Sequence, residues 1–477
     1  MKSSTKKFRE IASSTVSDPK IQDNLGVIYN RFHKAREIAI DKTPDWDKMS
    51  HQARAIKAHT IDHLDYYLEI MEKNVTKSGG NVFFATDASS ASQYILDIAN
   101  RGRVRSVIKS KSMLSEEMGL NAKLEDSGME VVETDLGEYL IQLRDETPYH
   151  IIAPALHMSA GDASETLNDT LGTPVNSAPE DLVKAVRVEL RDKFIRADMG
   201  ITGGNFVVAE TGTLVLVTNE GNGRMCTSMP RIHVAIVGME KLIPSMADLG
   251  MFLRLLIRSA TGQRLSSYVT TVTGPRRIGE TDGPDEFHLV IVDNGRSKIL
   301  ADPQMREALY CLRCGACLNA CPVYRKVGGH SYGWVYSGPI GAVVSPILTN
   351  LPDSKDLPYA SSLCGACREA CPVKINIPRM LLKLRNELVE GGTHSKVRTP
   401  PIIEIISMRV WRWIVSSNSG LYLANIFGRF GQMFFARGDS INWLPPPLTG
   451  WTKYRKFPRI VSRPFRSRWN TLIRDRD

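Results

Sequence analysis

Seven of the chain's eight cysteines lie between Cys311 and Cys371, and their spacing points to a chemistry. The first four stand in Cys311-Leu-Arg-Cys314-Gly-Ala-Cys317-Leu-Asn-Ala-Cys321-Pro322, a C-x2-C-x2-C-x3-C-P run. At this spacing three thiolates wrap one iron–sulfur cube, and the fourth, turned away by proline, reaches a second cluster. A second copy reads Ser361-Ser-Leu-Cys364-Gly-Ala-Cys367-Arg-Glu-Ala-Cys371-Pro372, with serine at its first ligand position. Crossed ligation assigns Cys311, Cys314, Cys317 and Cys371 to cluster one, and Cys321, Cys364 and Cys367 to cluster two. Zinc also takes four thiolates, but zinc sites typically pair two C-x2-C knuckles and need neither the third cysteine nor the proline. Two 4Fe–4S clusters are therefore expected. The second is one thiolate short, which leaves three forms open: a 3Fe–4S cluster, a four-iron cluster with a non-cysteine ligand, or a labile iron.

Between the copies runs Val327-Gly-Gly-His-Ser-Tyr-Gly-Trp-Val-Tyr-Ser-Gly-Pro-Ile-Gly341. Its glycines allow close backbone approach to cluster sulfurs, and Tyr332, Trp334 and Tyr336 are placed to exclude water; both effects tune a reduction potential. A plain connector packed by aromatics explains the segment equally well. His330 reads as a satisfied polar residue rather than an iron ligand. Clustered free thiols imply a reducing compartment. Cys226, the eighth, reads as a spare small side chain.

Other polar residues form weaker patterns. Asn219-Glu-Gly-Asn-Gly-Arg224 is a Gly-rich turn after a strand, equally an anion cradle or a hairpin turn. Glu133, Asp135, Glu138, Glu210 and Glu220 are candidates for proton transfer, with solvated or helix-capping roles expected for most. His157 follows a strand, the usual position of α/β active-site residues. His59 and His63 are four apart on a helix, without the acidic partner a metal site would need.

The elements that must position these residues follow from periodicity. Residues 1–77 read as helical: Leu25, Ile28, Tyr29 and Phe32 recur at helical spacing, Pro44 interrupts, and a second helix is expected from Asp47 to Met71. Residues 78–295 alternate short apolar runs with amphipathic ones. Strands are expected at Val82–Ala85, Val104–Ile108, Met129–Val132, Tyr149–Ala153, His233–Val237 and Phe287–Val292, with a hairpin joining Asn205–Ala209 to Thr213–Val217. Asp87 or Ser89 caps the helix that follows the first strand. Alternation of this kind predicts an α/β fold with a mostly parallel sheet. Residues 296–395 form the cysteine module, and a joint at Thr399-Pro400-Pro401 leads into a final segment, 396–477.

Charge sharpens the last boundary. The chain of 477 residues carries a formal charge of +10, and residues 401–477, with 13 Lys or Arg against 4 Asp or Glu, hold +9 of it. That segment interleaves Lys453, Arg455, Lys456, Arg459, Arg463, Arg466, Arg468, Arg474 and Arg476 with Trp451, Tyr454, Phe457, Phe465 and Trp469. Upstream it carries Trp411 and Trp413 beside Arg409 and Arg412. Such a pattern suits an acidic partner subunit first, an anionic membrane surface second, and single-stranded nucleic acid a distant third; no nucleic acid is expected. No run of 18 apolar residues occurs, which excludes a membrane-spanning helix. The basic start lacks an apolar core, so an unexported, cytoplasmic protein is expected, with peripheral contact at the inner face of the membrane.

Several motifs together carry a resemblance. Lys109-Ser-Lys-Ser-Met-Leu-Ser-Glu-Glu117, Glu133-Thr-Asp-Leu-Gly-Glu138, Pro154-Ala-Leu-His157, Glu210-Thr-Gly-Thr213 and Thr218-Asn-Glu-Gly-Asn-Gly-Arg224 resemble the LUD domain. With the cysteine module and tail, the chain resembles the lactate-utilisation protein B family from about residue 20 to 470. The resemblance implies a LUD fold similar to CoA transferases and sugar-phosphate isomerases, followed by a helical, ferredoxin-like dicluster domain. It implies an iron–sulfur electron carrier working with two partner proteins in oxidation of L-lactate to pyruvate. It also implies that three cysteines in the second copy are the family pattern. Glycolate or another 2-hydroxy acid remains an alternative substrate, and a LUD enzyme acting on a carboxylate or CoA thioester, with the clusters as sensor, an alternative function.

Overall fold

The computed structural model describes residues 3–395, 402–446, 448–453, 455–461, 463–465, 468–469 and 473. Two compact units divide the chain, Met1–Arg398 and Thr399–Asp477. The strands of the first unit are β1 (Asn81–Ala85), β2 (Ser106–Lys109), β3 (Glu130–Glu133), β4 (Met199–Thr202), β5 (Phe206–Val208), β6 (Thr213–Thr218), β7 (Ile232–Gly238), β8 (Leu242–Ile243), β9 (Tyr268–Val272) and β10 (Glu286–Val292). Six of them form one parallel sheet in the order β1-β10-β7-β4-β2-β3. This is the mixed α/β architecture that the alternating pattern predicts.

Central strand β7 is buried at every position, as a parallel strand covered on both faces must be. On one side, Ile95 and Ile98 of helix Ala88–Arg101 pack on Val107, Ile201, Val234 and Val290. On the other, helix Pro179–Arg196 sets Leu182, Val186, Leu190 and Phe194 against Ile108 and Val132. Each aliphatic side chain buried this way contributes about 1.5–3 kcal/mol. Asp87 starts the helix after β1, its carboxylate accepting the N–H groups of Ser89 and Ser90, a cap worth about 1 kcal/mol.

A second sheet, β8-β5-β6-β9, contains the expected hairpin. Gly212 turns it at φ +66°, and a Cβ there would lie 2.6 Å from the Val75 backbone nitrogen. The expected helix from Asp47 to Met71 is two helices, Trp46–Asp62 and Leu64–Lys77, broken at His63. Lys57, buried on the first, donates to the Glu240 and Leu242 carbonyls at 2.5 and 3.2 Å and ties that helix to β8.

Tyr149–Ala153 is not a strand. The His150 side chain accounts for this: its Nδ1 accepts the N–H groups of Ile152 and Ala153 at 3.1 and 3.3 Å, folding the backbone into a bend. Its Nε2 lies 3.2 Å from Asn319 Oδ1 of the cysteine module. The fourth parallel strand is β4 instead. Asp198, just before it, accepts the N–H groups of Arg105 and Ser106 at the start of β2.

In the second unit, helices Ile402–Val415 and Asn418–Gln432 precede a small antiparallel sheet of Ala436–Arg437, Ser440–Ile441 and Phe457–Pro458. No helix among the described residues is long and apolar enough to cross a membrane. Tyr454, Arg466, Arg474, Arg476 and the joint Thr399-Pro400-Pro401 lie outside the described residues.

Candidate metal centre

The two cysteine motifs share one backbone. Arg313 and Leu363 have φ of +59° and +55°, and Gly315 and Gly365 have φ of +73° and +88°. Short helices then begin at Ala316 and Ala366. Glycine suits this left-handed position because it lacks the Cβ that opposes it; at Gly315 a side chain would also press on Ile152 and His150.

This geometry brings Cys311, Cys314, Cys317 and Cys371 to one cavity, walled by Ile151, Ile340 and Ile377 among others. Burial, with Cys311 and Cys371 close by, pushes the Cys314 thiol up to about 12. Burial also raises Cys371 to about 11 and lifts Cys317 well above its ordinary value. Buried thiols crowded around an apolar cavity are deprotonated at neutral pH only if a cation replaces their protons, which is what an iron cluster does. The backbone is already arranged for the charged form, since the N–H groups of Arg313 and Ile375 point at the sulfurs of Cys311 and Cys371, 3.4 Å away in each case. Arg36, 7% exposed, adds a guanidinium whose field acts on Cys314 and Cys371. The donor set fits a thiolate-bound iron–sulfur cluster.

The remaining three cysteines form a second group. Cys367, raised to about 12 by burial, feels Cys321 and Cys364, and Tyr324 N–H donates to the Cys321 sulfur at 3.4 Å. Cys364 is exposed, and its thiol is lowered chiefly by the Ala366 N–H. Ser361 Oγ accepts the Leu363 N–H at 3.1 Å. Cys311 Sγ has the same relation to Arg313, so the serine oxygen stands where the first copy carries its first sulfur. Tyr332, Trp334 and Tyr336 are 0%, 7% and 2% exposed, as both a water-excluding wall and a connector packed by aromatics require.

Beside the first group opens a cleft of about 580 Å³. It lies past the C-terminal ends of β2, β3, β4 and β7, where ligands of open parallel sheets bind. Ser110, Asp135, Gly203 and Gly238 come from those strand ends, while Arg313 comes from between the first two cysteines.

The LUD domain family matches residues 68–292 and the 4Fe-4S dicluster domain family residues 307–375. "Lactate utilization protein B" of Bacillus velezensis is 44% identical across 100% of this chain and 98% of its own length. The protein of that name in Bacillus licheniformis is 45% identical over the same shares. The chain belongs to the lactate utilization protein B family. A solved DUF162 family protein from Deinococcus radiodurans aligns over 48% of this chain and 98% of its own, with 16% identity and a TM-score of 0.28.

In this family member the polar candidates separate. Glu133 is buried on Lys109 at 2.5 Å. Asp135 caps helix Leu136–Leu143 by accepting from the Gly137 and Glu138 N–H groups. Burial lifts Glu138 well above the usual carboxyl range, with Lys111 3.9 Å away. Glu220 is raised by burial and by Asp135. Asp135, Glu220 and Lys111 line the cleft, whereas Glu210 lies elsewhere and accepts the Met246 N–H. Asn219 and Asn222 also line it, but Arg224 is exposed and does not.

His157 is outside the cleft, 2.6 Å from Glu146 and stacked on Tyr149. His330 donates to the Thr147 carbonyl at 2.8 Å, a satisfied polar residue. The His59 and His63 rings lie 4.4 Å apart, tilted by 35°. Burial pushes the Cys226 thiol up to about 12, and it contacts Thr134 Oγ1 at 3.5 Å. Sequence reasoning missed Arg36, Lys241, Arg296 and Arg313. Only Arg313 had a signal, its place inside the cysteine run.

Proposed function

We propose that this protein is a non-catalytic iron–sulfur electron-transfer subunit that supports oxidation of L-lactate to pyruvate. The observation that carries the reading is the repeated left-handed cysteine turn with four thiols around one buried cavity. Cys311, Cys314, Cys317 and Cys371 hold the first 4Fe–4S cluster; Cys321, Cys364 and Cys367 hold the second, with Ser361 as its oxygen ligand. When bound, the clusters supply one-electron redox chemistry. The chain's own residues set the conditions: backbone N–H groups stabilise sulfur charge, Arg36 offsets it, and the Tyr332–Tyr336 wall keeps water out. The relatives' name supports lactate as the acid oxidised, and two partner proteins donate and accept the electrons.

The second unit supports a docking role. Trp411, Trp413, Phe427 and Phe430 are exposed on its helices beside Arg409, Arg412 and Arg429. This basic apolar surface takes an acidic partner subunit, with the inner face of a membrane as second occupant.

Anaerobically purified protein should contain iron with acid-labile sulfide. On reduction it should give electron paramagnetic resonance from two clusters, and Ser361→Cys should change only one of them. A protein without acid-labile sulfide refutes the reading. Reduction of its clusters by the partner proteins with glycolate but not L-lactate refutes the substrate.

A further inference from the structure

We infer that the cleft beside cluster one is a binding site for a small organic carboxylate, whose anionic group sits on Lys241 and Arg313. Both residues line the cleft. Arg313 lies over the Tyr336 ring, 4.2 Å from its centroid, and its Nη1 is buried without a hydrogen-bond partner. A buried guanidinium N–H left without an acceptor is unfavourable, so the free edge asks for an acceptor. Lys241 has no hydrogen-bond or ion-pair partner among the described residues. Asn222, 7% exposed and lining the same cleft, leaves Oδ1 without a donor.

Charge selects the class of ligand. Around this corner Arg296, Arg313 and Lys241 face Glu117 and Glu240: Arg296 bonds both carboxylates, and Arg313 lies 3.8 Å from Glu240. Lys57, buried within reach of Glu240 and Lys241, adds to the cations, and the cleft's other charges, Lys111, Asp135 and Glu220, act on one another, so this corner takes an anion. The planar edge of Arg313 matches a carboxylate. The unpaired Asn222 oxygen accepts a hydroxyl, as a 2-hydroxy acid carries.

Position gives the site a consequence. Arg313 is flanked by Cys311 and Cys314, so an anion on its guanidinium adds negative charge beside cluster one and makes that cluster harder to reduce. By linkage, reduction weakens carboxylate binding by the same factor; a tenfold weakening corresponds to about 59 mV for one electron. This consequence rests on the carrier reading, whereas the binding itself does not.

The test is calorimetric titration of anaerobic holoprotein with L-lactate, pyruvate and inorganic phosphate, run in parallel on Lys241→Gln and Asn222→Ala. Cluster absorbance and thermal midpoint report folding. L-lactate or pyruvate should bind, phosphate should bind at least about tenfold more weakly, and Lys241→Gln should weaken carboxylate binding roughly 10–100-fold. Redox titration with saturating carboxylate should lower the potential of wild type, and not of Lys241→Gln. The inference is overturned if neither carboxylate binds at about 10 mM, if phosphate binds more tightly, or if Lys241→Gln leaves binding unchanged. It is overturned too if Lys241→Gln lowers the potential without any carboxylate binding, because these cations then serve only to offset the cluster. Carboxylate binding by a protein devoid of sulfide would instead sink the carrier reading and leave the cleft standing.

Discussion

Replacing Arg296 with methionine removes the cation from a deeply buried ion network of the first unit. The guanidinium is 2% exposed and bonds Glu117 at 3.0 and 2.9 Å and Glu240 at 2.8 Å. Tyr336 and Asn294 add two hydrogen bonds to Glu117, each of 2.6 Å. Without the cation, two buried carboxylates face each other, and breaking a buried pair costs about 3–5 kcal/mol. Proton linkage gives a second scale. Burial raises the Glu240 carboxyl, but Arg296 and then Arg313 outweigh it and hold the group at about 2, against an ordinary 4.5. At 1.36 kcal/mol per pH unit this is roughly 3 kcal/mol, present above the unfolded value and lost as pH falls toward 2. In Arg296→Met the sign reverses: burial alone lifts both carboxyls, so the deficit is full at neutral pH and shrinks as acid neutralises them. Urea titration of anaerobic holoprotein at about pH 7.5 and pH 5.5, with fluorescence and cluster absorbance followed together, should show a loss of about 3–5 kcal/mol at the higher pH and less at the lower. A loss below about 1 kcal/mol, or a gap that widens in acid, refutes the account of this network.

Three further outcomes follow from exposure and packing. Brief air exposure should release iron from the Cys321–Cys364–Cys367 group first, because its Cys364 is exposed whereas Cys314 and Cys371 of the other group are buried; timed iron release in the Cys364→Ser background checks the order. Gly329→Ala should block folding or cluster retention, since its Cβ would lie 1.6 Å from the Tyr149 carbonyl oxygen; soluble yield and sulfide content measure it. Cys226→Ala should leave iron and sulfide content unchanged and cost about 1 kcal/mol or less, as expected for an inert buried thiol of small volume; a fall in sulfide would make Cys226 part of the cluster chemistry.

The parallel sheet was legible because its strands are short apolar runs between amphipathic ones, a pattern that burial on both faces enforces. The cysteine repeat was legible in its spacing, since metal ligation constrains spacing more tightly than packing does, whereas the left-handed turns at Gly315 and Gly365 show only in the backbone. Tyr149–Ala153 misled because its composition suits a strand, while the decisive contact is a side chain folding the backbone back on itself at His150. The pocket charges were illegible for a related reason. Lys241 follows β7, Asn222 follows β6 and Arg313 lies in the cysteine run, and only the closed fold puts them on one cleft. Carboxylates showed the reverse problem: five candidates looked alike in sequence, and burial, capping and pairing gave each a different state.

The misread segment also explains why sheet and cysteine module act as one body. Through its side chain His150 bends Tyr149–Ala153 and meets Asn319; Tyr149 packs under Gly328 and Gly329, and its carbonyl accepts from Tyr324. Ile151 walls the cavity of cluster one and belongs to the same core as β5, β6 and the helices of the cysteine module. A change in that cavity is therefore felt first by a segment whose neighbours, Ile152 to Leu156, line the cleft. Packed cores respond to volume changes by shifting between discrete arrangements. Loss of cluster one should thus loosen the cleft wall before it loosens the distant strand β1, and hydrogen exchange on apo and holo protein should show protection lost at 149–156 while 81–85 keeps its own.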